Sequence, residues 1–293
     1  MTEFAIGIDG GGTSCRAAVA DRSGKRLGNG RAGAANIMSD PENALANIIA
    51  SAGAALEDAG LPASALAGAT AVLGVAGANV GSYGAHIAAS LPFAVGRVVT
   101  DQTIALHGAL GDADGIVGTI GTGSVYGRRR DGAVREIGGW GFIVGDQASG
   151  ARLGRDLLEA SLLAHDGVRP SSAATERVMS EFSGDPQQVV EFAHGAKPKD
   201  FGRFAPYVFE YAEAGDPVAL PIVAAAARAI DDSIAALFWR QCPTICLLGG
   251  LGPLYRKWLS ADHQALLAGP RGDALEGALS LSVALLNGEG IGA

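Results

Sequence analysis

Phe4-Ala5-Ile6-Gly7-Ile8-Asp9-Gly10-Gly11-Gly12-Thr13-Ser14-Cys15-Arg16 runs from a short apolar strand into a carboxylate, three glycines and a hydroxyl. Residues without Cβ let a ligand approach the backbone closely, and successive N–H groups in such a turn can converge on an anion. Thr13 adds a hydroxyl donor, and Asp9 places a carboxylate where a hydrated Mg²⁺ on phosphate oxygens would need one. The residues after the glycines decide the kind of loop. A Walker A loop carries Gly-Lys-Ser/Thr and opens a helix, and the chain contains no such tripeptide. A dinucleotide-binding turn also opens a helix. Here Arg16 to Asp21, Ser23-Gly24 and Lys25 to Gly28 read as strand, turn, strand. The loop therefore joins two strands of a hairpin. A tight turn without a ligand is the plainer alternative.

Outward from this hairpin, strands are expected at 4–9, 14–20 and 25–32. Asn36 comes next, in a loop of small residues, and Ser39-Asp40-Pro41-Glu42 reads as a capping box with proline in the first turn. The helix it opens should end near Ala59, before Gly60-Leu61-Pro62. Ala69 to Val75 reads as a buried parallel strand, 82–90 as a helix, Arg97 to Thr100 as a strand and Gln102 to Leu110 as a helix. Asp101 thus stands at a strand-to-helix junction, where open α/β sheets place ligands. An ordinary helix cap is the competing reading.

The second half opens like the first. Gly115 to Ile120 is a strand, Gly121-Thr122-Gly123-Ser124 a turn, Val125 to Arg130 a strand, Asp131-Gly132 a hairpin turn and Val134 to Ile137 a strand. This weak duplication implies two similar lobes. Gly138 to Gly145 is a glycine-spaced loop holding Gly139 and Trp140, and Asp146 precedes a helix from about Ser149 to His165. An aromatic ring and a carboxylate suit a sugar, whereas core packing and helix capping are the plainer roles. Helices are expected at 171–182, 186–193, 199–214 and 217–238. Thr244 to Leu248 is a strand ending in Gly249-Gly250, and Asp273 to Leu286 a terminal helix.

Composition narrows the classes. The chain has 293 residues, 48% of them hydrophobic, enough for one large domain or two ordinary ones. Glycine numbers 44, about twice the usual ~7% share, so many loops turn sharply or approach something closely. A net charge of −8 argues against nucleic acid as the main partner. The apolar stretch from Pro217 to Phe238 is interrupted by Arg228, Asp231 and Asp232, so it reads as a buried helix and no membrane partner is expected. No basic segment precedes the first strand, and a cytoplasmic location is the expectation. Three cysteines (15, 242, 246) make neither a disulfide framework nor a zinc site.

Asp9-Gly-Gly-Gly-Thr13 resembles the first phosphate motif of the actin, sugar-kinase and Hsp70 ATPase superfamily, and Gly121-Thr122-Gly123-Ser124 its second. Gly138-Gly139-Trp140-Gly141 with Gly145-Asp146 is similar to the N-acetylglucosamine kinase branch of the BadF/BadG/BcrA/BcrD ATPases. The resemblance implies an α/β, two-lobed actin-like ATPase (ribonuclease H-like) fold, with duplicated βββαβαβα-type lobes and a cleft between them. The lobes would be 1–110, joined by the terminal helix 273–288, and 111–272 with a helical insertion at 150–240. It implies ATP and Mg²⁺ as cofactors and an amino sugar as substrate, phosphorylated at the 6-hydroxyl. Gly10, Gly11, Gly12, Thr13, Gly121, Thr122, Gly123, Gly249 and Gly250 would bind ATP, Asp9 would hold Mg²⁺ through water, and Asp101 would be the general base. Asn36, Gly139, Trp140 and Asp146, with Asp101, would hold the sugar. A side chain at Gly123 should then damage ATP binding alone. Relatives often carry a serine where Ala76 stands, which leaves N-acetylglucosamine and glucosamine both open. A homodimer is usual among similar proteins. The same family implies two other readings. One is an ATPase that activates a dehydratase through an iron–sulfur cluster, for which the cysteines are too sparse. The other is a sugar-sensing regulator, which would add a DNA-binding segment that this chain leaves no room for before its first strand.

Overall fold

The computed structural model describes residues 4–37, 40–78 and 81–290, and it divides into two compact units. The first comprises Met1–Gly115, Gly127–Arg135 and Gly269–Ala293, the second Ile116–Tyr126 and Glu136–Ala268. Residues 127–135 thus go with the first unit, where the sequence reading has an unbroken 111–272.

In the first unit, β1 (Ala5–Gly10), β2 (Cys15–Ala20), β3 (Arg26–Ala32), β4 (Thr70–Val75) and β5 (Val95–Thr100) form one sheet in the order β3-β2-β1-β4-β5. β1 is antiparallel to β2 and parallel to β4, which is parallel to β5. Strand alternation sorts the side chains onto two faces. Ile6, Ile8, Ala17 and Val19 pack with Ile48, Ala52 and Leu56 of α1 (Pro41–Asp58). Ala18 and Ala20 pack with Leu275 and Leu279 of the terminal helix (Ala274–Leu286). Gly7 points at that helix. A Cβ there would lie 2.3 Å from the Leu279 nitrogen, so only glycine permits the approach. Val72 of β4 and Ile104 of α3 (Asp101–Leu110) join Ala278 and Leu281 on the same face; α2 (Tyr83–Ala89) lies between β4 and β5 in the chain.

The cap of α1 differs from the expected box. Its Asp40 carboxylate accepts from the Asn43 N–H at 3.1 Å, with Pro41 in the first turn, so the cap falls one residue later than a Ser39–Glu42 pair would place it. Ser39 lies outside the described residues.

β6 (Gly115–Ile120), β7 (Ser124–Arg130), β8 (Ala133–Gly138) and β9 (Ile245–Leu248) form the second sheet, in the order β8-β7-β6-β9. The duplication is incomplete: where the first sheet has β5, this one has a single parallel bridge from Ile245 to Leu267. The core of the second unit combines Ile116, Ile120, Leu153, Leu157, Phe204, Val208, Val223 and Ile230. Its helices before β9 are α4 (Gly150–His165), α5 (Ala173–Glu181), α6 (Pro186–Gly195), α7 (Pro198–Gly202), α8 (Ala205–Glu213) and α9 (Ala219–Leu237). The single helix expected over 199–214 is therefore two. Pro206, in the first turn of α8, has no N–H for the Gly202 carbonyl, and its ring would clash there. No described helix is long and apolar enough to cross a membrane.

Candidate active site

The first glycine loop is the tip of the β1–β2 hairpin, where Gly10 still pairs with Cys15. The Gly11 N–H donates to the Ser14 carbonyl at 3.0 Å, and the Ala35 N–H donates to the Gly11 carbonyl at 2.9 Å, which sets Asn36 beside the loop. Among the described residues no hydrogen bond engages the N–H of Gly12 or Thr13, and both residues are exposed. The second loop repeats this arrangement. Gly121 donates to the Gly123 carbonyl at 2.9 Å, and the N–H groups of Thr122 and Gly123 carry no bond among the described residues. From behind, Gly150 and Ala151 at the start of α4 donate to the carbonyls of Gly121 and Thr122 at 2.8 and 3.3 Å. Each loop thus offers two adjacent amide donors on a fixed base, an arrangement that can receive an anion.

Asp9 and Arg16 are cross-strand partners. The Arg16 guanidinium donates to Asp9 Oδ2 from Nη2 at 2.7 Å and from Nε at 3.2 Å. Its Nη1 donates to Asp273 Oδ2 at 2.7 Å. Asp273 caps the terminal helix, accepting from the Glu276 N–H at 2.9 Å. Burial pushes the Asp273 pKa up, but the Glu276 N–H and Arg16 outweigh it and hold the carboxyl below its ordinary value. Sequence reasoning did not single out Arg16. The available signal was hairpin register, since Asp9 and Arg16 stand equally far from the turn. A carboxylate with one oxygen on a guanidinium has Oδ1 left for a ligand, which suits a hydrated Mg²⁺ held through water. Among the described residues no group of three or more His, Cys, Asp or Glu could hold a metal ion.

Asp101 is the first residue of α3 and not its cap. The Thr100 hydroxyl accepts from the Thr103 N–H at 2.9 Å and does the capping. Asp101 is exposed, and its Oδ1 accepts from the Gln102 N–H at 2.9 Å. Gly10, Val75 and Thr100 lie in one row across β1, β4 and β5. The first loop and Asp101 therefore leave the same edge of one sheet, two strands apart or roughly 10 Å.

In the second unit, Thr119 pairs with Leu248, so the 121–123 and 249–250 turns also leave one sheet edge together. Gly249 has φ +78°, and a Cβ on it would sit 2.3 Å from the Ile120 carbonyl oxygen. Asp146 is 8% exposed, adopts a left-handed φ of 56° and precedes, by two residues, Ala148 at 67°. Such backbone outliers cluster at functional sites. Burial raises its pKa, opposed by the N–H groups of Ser124 and Gly141. The Gly139 N–H donates to the Ser124 carbonyl at 3.0 Å, so Gly139, Ser124 and Asp146 form one cluster. Trp140 is 70% exposed, which removes core packing as its role.

The two motifs of this unit touch. A Cβ on Gly123 would lie 2.9 Å from Asp146 Oδ2, so a side chain there cannot spare the carboxylate. If this loop binds ATP and Asp146 a sugar, as the resemblance implies, Gly123→Val is expected to raise the KM for ATP and to weaken sugar binding as well, in contrast to the sequence-based expectation. Calorimetry with sugar and no nucleotide checks this, and an unchanged sugar Kd would show that Asp146 does not contact the sugar.

The model of the BadF/BadG/BcrA/BcrD ATPase family matches residues 6–256. The chain is 35% identical over 277 residues to glucosamine kinase GspK of Vibrio cholerae, covering 94% of each protein. It is 33% identical over 140 residues to N-acetyl-D-glucosamine kinase of Dictyostelium discoideum, covering 46% of this chain and 44% of that protein. A crystal structure from Chromobacterium violaceum, provisionally named an N-acetylglucosamine kinase, superposes with a TM-score of 0.86 at 33% identity. It covers 94% of this chain and 98% of that one.

Proposed function

Because this chain belongs to the BadF/BadG/BcrA/BcrD ATPase family, we propose that it is an ATP-dependent kinase that phosphorylates an amino sugar at its 6-hydroxyl. The observation that carries the reading is the shared sheet edge of the first unit: an anion-binding loop and an exposed carboxylate relieved of capping stand two strands apart. In this reading Gly10 to Thr13 and Gly121 to Gly123 bind the phosphates of ATP, and Gly249 and Gly250 admit its nucleoside. Asp101 accepts the proton of the attacking hydroxyl, while Asn36, Gly139, Trp140 and Asp146 hold the sugar. Asp9 would hold Mg²⁺ through water, and that ion neutralises phosphate charge when bound. Positioning and charge stabilisation supply most of the catalysis in phosphoryl transfer. The full-length relative is named a glucosamine kinase, so glucosamine is the first substrate to try and N-acetylglucosamine the second. A cytoplasmic location accords with dependence on ATP. The test is ADP release with ATP, Mg²⁺ and a panel of sugars; turnover indifferent to every amino sugar would overturn the proposal.

The rival within the family is a dehydratase activator holding an iron–sulfur cluster through cysteine thiolates. Here all three cysteines are buried. The Cys15 thiol lies 3.3 Å from the Ser51 hydroxyl, and burial pushes its pKa up to about 11, which disfavours a thiolate. Protein purified anaerobically is therefore expected to be colourless and free of stoichiometric iron. A brown, iron-loaded preparation would favour the activator.

A further inference from the structure

A cavity of 420 Å³ in the second unit is walled by Gly121 and Thr122 of the phosphate loop and by Gly250 and Leu251 of the turn after β9. Two cations complete the wall, Lys199 of α7 and Arg203 just beyond it. α7 is docked firmly on α4: a Cβ on Gly154 would lie 1.9 Å from the Phe201 carbonyl oxygen. Arg203 is held against two rings, its guanidinium carbon 4.7 Å from the Phe192 centroid and 4.6 Å from that of Phe204. Glu181 lies 3.8 Å from it. Lys199 is exposed, and no ion pair engages it among the described residues. An exposed lysine is ordinary on a protein surface. This one shares its cavity with a loop whose Thr122 N–H is open to an anion.

We infer that Lys199 and Arg203 are nucleotide-binding residues, which offset the negative charge of the phosphate chain from the second unit. The inference rests on ATP being the phosphoryl donor. Lys199 supplies a mobile point charge, whereas Arg203 supplies planar donors fixed by its aromatic neighbours. Their charge acts on phosphate, so their effect falls on nucleotide affinity.

Calorimetric titration of ATP at low and at high salt, on wild type, Lys199→Ala, Lys199→Arg and Arg203→Ala, tests this. A charged hydrogen bond is stronger than a neutral one, but an exposed cation gains only part of that. Lys199→Ala is expected to weaken ATP about tenfold at low salt and much less at high salt, where exposed charges are screened. Lys199→Arg should restore most of the affinity, Arg203→Ala should weaken ATP at least as much as Lys199→Ala, and the sugar Kd should be unchanged in all. Wild-type affinity in Lys199→Ala, or a loss equally large at both salt concentrations, would overturn the inference. Failure of the wild type to bind ATP would overturn the donor reading itself.

Discussion

Asp101→Asn is expected to lower kcat by about 10²–10⁴-fold, the usual cost of losing a general base, while the sugar Kd moves by no more than several-fold. The amide keeps the size of the carboxylate and can still bond a hydroxyl, but it cannot take the proton. The structure makes this substitution clean to interpret. Thr100 performs the capping of α3, and an amide oxygen can still accept from the Gln102 N–H as Asp101 Oδ1 does, so the substitution removes a negative charge from the first turn, worth roughly 0.3–1 kcal/mol. A shift of that size in unfolding free energy cannot mimic a thousandfold fall in turnover. Measuring kcat, sugar Kd and thermal stability on one preparation separates the roles. Near-wild-type kcat rejects Asp101 as base. A fall in kcat matched by an equal loss of sugar affinity would leave it a positioning residue.

Asp146→Asn is expected to dissociate structure from function. The amide oxygen can still accept a sugar hydroxyl but without the charge, and replacing a charged acceptor costs ~1.5–3 kcal/mol, a loss of about 10–100-fold in sugar affinity. Stability should move the other way. Burial raises the Asp146 pKa in the folded state. An acid whose folded pKa lies above its unfolded one contributes stability below the unfolded pKa, and loses it as pH rises through the folded pKa. At neutral pH the buried charge is therefore a burden, and the neutral amide should leave Tm equal or higher. The same shift predicts that sugar binding by the wild type fades on acidification at a higher pH than an ordinary carboxylate would allow. A lower Tm in Asp146→Asn, with sugar affinity intact, would reassign Asp146 to a purely structural role.

Much of the fold, and the place of the candidate site residues on it, is legible in the sequence because the deciding features are local. The Asp9-to-Thr13 loop and its flanking strands occupy one short stretch, and hairpin register is set by the turn. Strand-to-helix order likewise places Asp101 at a sheet edge. The misses are of other kinds. Choosing between Thr100 and Asp101 as the cap of α3 depends on which side chain reaches the Thr103 N–H, and both types cap helices. The break between α7 and α8 is readable in Pro206 but is masked by the helical spacing of the aromatics around it. The contact of Gly123 with Asp146, and the gathering of Lys199 and Arg203 beside Gly121 and Gly250, join residues far apart in the chain. Composition and periodicity carry no signal for such neighbours.

The terminal helix has a consequence for how the protein comes into being. It covers one face of the β1-β2-β4 sheet in the first unit, where Leu275 and Leu279 meet Ala18 and Ala20, and Ser282 donates to the Ile6 carbonyl at 2.9 Å. Those partners leave the ribosome long before the helix does. Chains are synthesised from the N-terminus at ~5–20 residues per second and fold domain by domain. The second unit is complete once residue 268 has emerged, whereas the sheet carrying Asp9 and Asp101 keeps an uncovered apolar face until residues 274–286 have emerged. The unit that begins the sequence is thus finished after the second one. A nascent chain stalled before residue 274 would expose that face to chaperones while its second unit was already folded.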